Sequence, residues 1–282
     1  MALAAERHDV EIVAVDAMQV YRGMDIGTAK PTVADQQLVP HHCIDLVEPN
    51  SMFTVAEFQI AARRAMTAID AHEHVAVLVA GTGLYLTSVI DDLQLPGEWP
   101  SIRHELEQES DLASLHARLT ELDPAAAARI EPTNQRRLVR ALEVCLGSGR
   151  PFSSFGPGTS AYPPIDTVQI GLRWSREQLT DRVAQRVHRM MHAGLLAEVQ
   201  GLLDLRGGLS RTARQALGYR ELITAIEGRC STDEAVAQII VRTRQFAVRQ
   251  ERWFRRDPRI RWVDITADPV AEVVPVVRHL FP

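Results

Sequence analysis

Val15–Pro31, VDAMQVYRGMDIGTAKP, decides how this chain is built. It closes an apolar, β-branched run, Val10 to Asp16, with a carboxylate and passes into a polar loop punctuated by glycines. A short continuous apolar run of this kind reads as a buried strand, with Asp16 delivered to its carboxyl end. Downstream, FTVAEFQIAARRAMTAID sets Phe58, Ala62, Ala65, Met66 and Ile69 at helical spacing behind a Thr54/Glu57 capping box. VAVLVAGTGLYL then reads as a strand that breaks at Gly81-Thr82-Gly83 and resumes as a helix. Strand, helix, strand, small-residue turn, helix is the rhythm of a parallel α/β sheet. Such sheets bind ligands beyond the carboxyl ends of their strands, where Asp16 and Thr82 both fall.

After LQLPGEWP the texture changes. Ser101 to about Arg150 is helical, charged and alanine-rich, and GSGRPFSSFGPGTSAYPP follows as a loop. VQIGLRW, Val168–Trp174, returns as a strand, so the helical block reads as an insert in one α/β core. A long amphipathic region breaks near Gly194, a further helix spans roughly Thr232 to Arg256, and IRWVDI is a last strand. The 282 residues suit one large domain or a core with an insert. With 46% hydrophobic and 24% charged residues, the composition is that of a globular protein with a sizeable core. No apolar run approaches the roughly 20 residues that span a bilayer, and the start lacks the pattern of a secretory signal. Cys43, Cys145 and Cys230 have no paired spacing and read as reduced thiols in a cytoplasmic protein.

The net charge of −5 hides an asymmetry: Lys30 is the only lysine, and eight arginines fall between Arg242 and Arg261. A local arginine cluster can hold a polyanion whatever the net charge, and it can equally be a solvated helix face. The same pair of readings applies to Arg136, Arg137 and Arg140 in NQRRLVRALEV, which share one helical side opposite Leu138, Leu142 and Val144. On the late helix Arg242, Gln245, Arg249, Arg252 and Arg256 step by three and four, with Val236, Ile240, Ala247 and Phe254 expected to pack inward. Asp16 can accept a proton or organise a cation, although strand-end aspartates are also common turn residues. His41 and His42 are adjacent in an extended segment and point opposite ways, which argues against their sharing a metal.

Together, VDAMQVYRGMDIGTAKPT, PHHCIDLVEP, AGTGLYL, LDPAAAARIEPTNQRRLVRALEV, ARQALGYREL and TRQFAVRQERWFR resemble one family, the tRNA dimethylallyltransferases or isopentenyl-tRNA transferases. The pieces occur in family order and span nearly the whole chain. The resemblance implies a P-loop-NTPase-like α/β fold, a parallel sheet flanked by helices. Residues 1–100 and 161–282 would form the core, and 101–160 a helical insertion that binds the anticodon arm of tRNA. It implies transfer of a dimethylallyl group from dimethylallyl diphosphate to the exocyclic amine of the adenosine 3′ of the anticodon, releasing diphosphate, with Mg²⁺ as cofactor and no protein ligand assigned to it. Asp16 matches the general base. Asp16, Ala17, Met18 and Gln19 match a tRNA-contacting stretch, as do Thr82, Arg103, the run Arg136, Arg137, Leu138, Val139 and Arg140, and Gln215, Gly218, Tyr219 and Arg220. Arg186, Arg244 and Arg249 are the guanidiniums expected at the diphosphate. The partners expected are tRNA and dimethylallyl diphosphate, with no membrane, for a monomer.

The family carries a phosphate loop, G-x-x-x-x-G-K-[ST], ahead of this point; this sequence has none. The expectation is that ALAAERH is the tail of the helix following that loop. Either an upstream segment belongs to the natural protein, or the product is shortened, binds dimethylallyl diphosphate weakly and exposes a core strand without its neighbour. Two other functions fit parts of the pattern: a tRNA-binding remnant without catalysis, and an adenylate isopentenyltransferase. The helical block argues against the second, and against a nucleotide kinase nothing resembles a nucleotide lid.

Overall fold

In the computed structural model residues 7–280 are described, so most of ALAAERH, the expected helix tail, lies outside the described residues. Chain contacts divide the protein into two units: Met1–Ile90 with Pro164–Pro282, and Asp91–Pro163.

The first unit opens on β1 (Val10–Val15), every residue of which is buried, as a strand covered on both faces requires. A short helix, α1 (Val33–Leu38), and the two-residue β2 (His41–His42) follow. Helix α2 (Val55–Ala71) begins at the expected capping box, with Thr54 and Glu57 each bonding the other's backbone, and buries Phe58, Ala62 and Ile69. Strand β3 (Val75–Ala80) lies parallel to β1, as does β2, in the order β2-β1-β3, and α3 (Gly83–Ile90) leaves from the glycine turn.

The second unit is helical: α4 (Pro100–Glu107), α5 (Leu112–Leu122), α6 (Pro124–Ala127) and α7 (Gln135–Ser148). Its core joins Leu115, Leu119, Leu138 and Leu142. The unit takes in residues before Ser101 because they are bonded to α7. The Trp99 amide donates to Glu143, and Arg140 donates to the Pro96 carbonyl.

The chain returns to the first unit with β4 (Gln169–Trp174), α8 (Arg176–His192), α9 (Leu195–Leu203), α10 (Arg211–Arg214), α11 (Tyr219–Ile226), α12 (Thr232–Phe254), β5 (Ile260–Ile265) and α13 (Pro269–Arg278). The break before α9 falls at Gly194, whose φ of +101° a side chain would resist. Strands β4 and β5 are parallel but form a sheet of their own. The parallel strands of the α/β core thus fall into two sheets. Among the described residues nothing hydrogen-bonds the free edge of β3, where Val79 is 56% exposed. An unpaired parallel edge of this kind is a template for intermolecular pairing.

The loop after β1 is fixed by one cation. Lys30, its side chain 3% exposed, donates to the Tyr21 carbonyl and to the carboxylates of Asp25 and Asp45, each at 2.6 Å. An ammonium has three donors, and all three are used. Lys30→Met removes the donors and leaves three acceptors facing the hole. Because both aspartates reach water, the expected loss is about 1–3 kcal/mol of unfolding free energy, read from a urea titration.

Candidate active site

Asp16 stands one residue beyond β1. Its Oδ1 accepts the backbone N–H groups of Met18 (2.7 Å) and Gln19 (3.2 Å), which turns the chain out of the sheet. Its Oδ2 has no hydrogen-bond partner among the described residues and lies beside Gly81, where an added Cβ would stand 3.3 Å from it. The ends of β1 and β3 are laced together. Gly81 and Thr82 donate their amides to the Val15 carbonyl, and the Ala17 amide donates to Thr82 Oγ1 at 3.2 Å.

A third element closes this corner. Gln250 on α12 donates to the Gly81 carbonyl, and one turn on, the Trp253 indole sits where a Cβ on Gly83 would be, 2.2 Å from its nearest ring atom. Glycine at both positions thus serves close approach rather than a positive φ. Gly83→Ala forces the indole aside and is expected to cost about 1–3 kcal/mol, seen as a lower urea midpoint at unchanged slope.

Arg186, on α8, is exposed at its surface yet hemmed in by protein. That desolvation pulls its guanidinium below the ordinary arginine range, and the Asp16 carboxylate opposes the shift, so the two charges act on each other. On α12, Arg249 is one residue, about 100° of helix, from the Gln250 side that meets the turn, whereas Arg244 falls about 120° away from it. Both are exposed. The expected arginine stripe is broken at its start: Arg242 is bonded to Glu221, a carboxylate that is 2% exposed and also bound by Arg220 at 3.0 Å. Full burial on α12 falls at Ala235 and Ile239. Val236, Ile240, Ala247 and Phe254 are only half-buried, because the helix is also drawn toward the sheet by Gln250 and Trp253.

The loop from Asp25 to Gly27 is held by Glu198 on α9, whose carboxylate accepts three successive amides at 3.0, 2.7 and 3.2 Å. Tyr219 donates to the same carboxylate at 2.6 Å, and its ring lies where a Cβ on Gly27 would go. Burial, with Glu198 beside it, drives the Tyr219 phenol far above its usual pKa. Tyr219 and Gly218 are thus buried framework residues, and Gln215 is exposed. The Gln19 amide is occupied by the carbonyls of Thr28 and Ala29.

In the helical unit the expected run divides. Arg136 and Arg137 are exposed and make no ion pair among the described residues. Leu138 and Val139 are core. Arg103 and Arg140 both bind Glu143, so these two half-buried guanidiniums are partly committed to that carboxylate. Sequence reasoning passed over Glu143, Glu198, Gln250 and Trp253. Lys30 did carry a signal, as the lone lysine of an arginine-rich chain.

Residues 19–257 match the family described as IPP transferase. The chain belongs to the IPP transferase family. Among IPP transferase relatives, it is 48% identical over 264 residues to the tRNA dimethylallyltransferase of Streptomyces coelicolor, covering 92% of this chain and 83% of that one. To the protein of the same name from Paenarthrobacter aurescens it is 47% identical over 260 residues, or 90% and 82% of the two chains. Among solved structures, the tRNA isopentenylpyrophosphate transferase of Bacillus halodurans superposes with a TM-score of 0.70 at 36% identity, over 99% of this chain and 89% of that one. A eukaryotic dimethylallyltransferase solved acting on tRNA shares the fold at TM-score 0.80, with 21% identity, over 98% and 73% of the two chains. The α/β arrangement, with its helical insert and Asp16 at the strand end, is thus built on the IPP transferase frame.

Proposed function

We propose that the chain is a tRNA prenyltransferase. It moves a dimethylallyl group from dimethylallyl diphosphate to the exocyclic amine of the adenosine next to the anticodon on its 3′ side. The observation that carries this reading is the split duty of the Asp16 carboxylate: Oδ1 holds the turn, while Oδ2 remains available beside the Gly81 turn with Arg186 within electrostatic reach. An aryl amine is a poor nucleophile. As the bond from its nitrogen to the allylic carbon forms and the bond from that carbon to the diphosphate oxygen breaks, the amine proton passes to Oδ2. The departing diphosphate concentrates negative charge, and Arg186, Arg244 and Arg249 are the guanidiniums assigned to offset it in this reading.

Mg²⁺ characteristically takes most of its ligands from water and substrate phosphates, so it would be carried in with the diphosphate and needs no ligand from Asp16, whose Oδ2 is the proton acceptor. When bound, Mg²⁺ would neutralise the leaving group. The target base must leave its stack to meet Asp16, which needs a backbone grip beside the pocket. Of the expected tRNA-contacting side chains, Arg136 and Arg137 of the helical unit are exposed, as is Gln215 of the other unit.

The test is transfer of label from radiolabelled dimethylallyl diphosphate to unmodified tRNA, run beside AMP as acceptor. Label in tRNA supports the reading. Label in AMP alone would replace it with an adenylate transferase, and tRNA binding without label transfer would leave a binding protein.

A further inference from the structure

We propose that Glu11, His72 and His74 form a binding site for one divalent transition-metal ion of the zinc class, at the amino end of the sheet. Glu11, the second residue of β1, is 6% exposed and pairs in register with Ala76 of β3. That register brings His74, the residue just ahead of β3, alongside it. His72 caps α2. The residue between the two histidines, Glu73, takes a left-handed φ of +57°, and the amides of His72 and His74 both donate to the Ile69 carbonyl at 3.1 Å. The turn so made presents both imidazoles to the same carboxylate.

One ligand atom from each residue lies within 4.8 Å of the other two. His74 Nδ1 is 2.8 Å from Glu11 Oε1, and His72 Nδ1 is 3.7 Å from that same oxygen. The first contact is a hydrogen bond. The second is too long for one, so the convergence of His72 is not accounted for by hydrogen bonding. Zinc–ligand bonds of 2.0–2.2 Å in a tetrahedron separate the ligands by roughly 3.3 Å, a spacing the two observed distances bracket.

The remaining Glu11 oxygen is held from β2 by His42 Nε2 at 2.5 Å, which leaves Oε1 for the other two histidines. A hydrogen-bonded outer partner of this kind commonly orients a ligating carboxylate. Two imidazoles and a carboxylate suit Zn²⁺, Co²⁺ or Ni²⁺, whereas Mg²⁺ prefers oxygens alone. With its side chain 66% exposed, His72 offers a route in from solvent and a fourth position for water. Asp16 lies at the opposite, carboxyl end of β1, so this ion would staple α2 to β1 and β3 rather than take part in chemistry.

Titration of the tag-free chain with Co²⁺, followed by visible absorption, decides the matter. One equivalent is expected to give the strong bands of a low-symmetry site, to be displaced by Zn²⁺, to resist Mg²⁺ and to raise the thermal midpoint. His72→Ala, at an exposed position, should leave the circular dichroism unchanged and remove the bands, as should His74→Ala. His42→Gln is expected to keep the bands but weaken binding roughly 10–100-fold. Absence of stoichiometric uptake, or uptake that survives both alanine replacements, overturns the proposal.

Discussion

Asp16→Asn is expected to reduce dimethylallyl transfer about 10²–10⁴-fold while leaving the fold and tRNA affinity near those of the parent chain. The reason lies in the two oxygens. Asparagine keeps Oδ1, so the amides of Met18 and Gln19 retain their acceptor and the turn persists. What changes is the position of Oδ2, where an amide nitrogen cannot take up a proton. Single-turnover rates at saturating dimethylallyl diphosphate isolate the chemical step, and filter binding of unmodified tRNA gives the affinity. A variant that transfers label within a few-fold of the parent would remove Asp16 from the mechanism. Asp16→Ala is the useful contrast, since it loses Oδ1 as well and should weaken both the rate and the stability.

The largest effect on stability is expected at Glu143. Its carboxylate is wholly buried in the helical unit, receives the Trp99 amide at 2.7 Å and Arg103 Nε at 2.9 Å, and is ion-paired with Arg140 Nη1 at 2.9 Å. Glu143→Leu leaves two arginines facing an apolar side chain, with Arg140 Nη1 shut away from water. Breaking a buried pair by removing one partner costs about 3–5 kcal/mol, and the partial exposure of both arginines places this case near about 3. The effect should appear as faster hydrogen exchange of the Leu138–Cys145 amides.

The same residue sets a pH dependence. Burial alone would raise its pKa, but Arg103, the Trp99 amide and Arg140 outweigh burial and hold the carboxyl below its ordinary range. A folded-state pKa below the unfolded value of about 4.3 contributes stability at higher pH, and that contribution is lost as pH falls through the folded value. Exchange protection of α7 should therefore drop on acidification below about pH 4.3. In Glu143→Gln the drop should be smaller.

Elements made by continuous apolar runs or by strong terminal signals were legible before any coordinates. Strands β1, β3, β4 and β5, the Thr54/Glu57 cap and the break at Gly194 are all local, and local chemistry decides them. The two-residue β2 is too short to carry a period, and α1 has no buried residue to advertise it. Strand β2 was read only as an extended segment, and α1 was not anticipated. The position of Asp16 was readable because a strand's end is a local fact; Arg186 was expected only through the family resemblance, since packing and not local sequence brings α8 toward it. Glu143, Glu198 and Glu221 look in sequence like solvating residues on helices. Each is bound instead to groups from distant segments, and no periodicity reports that. The cluster around Glu11 was hidden for the same reason: the adjacent pair His41-His42 drew attention, whereas His42 and His74 reach the Glu11 carboxylate only through β-sheet register.

Lys30 has a practical corollary. A chain with a single lysine, and that one sealed beneath the loop that follows β1, presents amine-directed acylating reagents with little beyond its α-amino group while it remains folded. Labelling of Lys30, counted by mass spectrometry, would therefore act as a built-in clock for the opening of the segment that carries Asp16, with no reporter group to install.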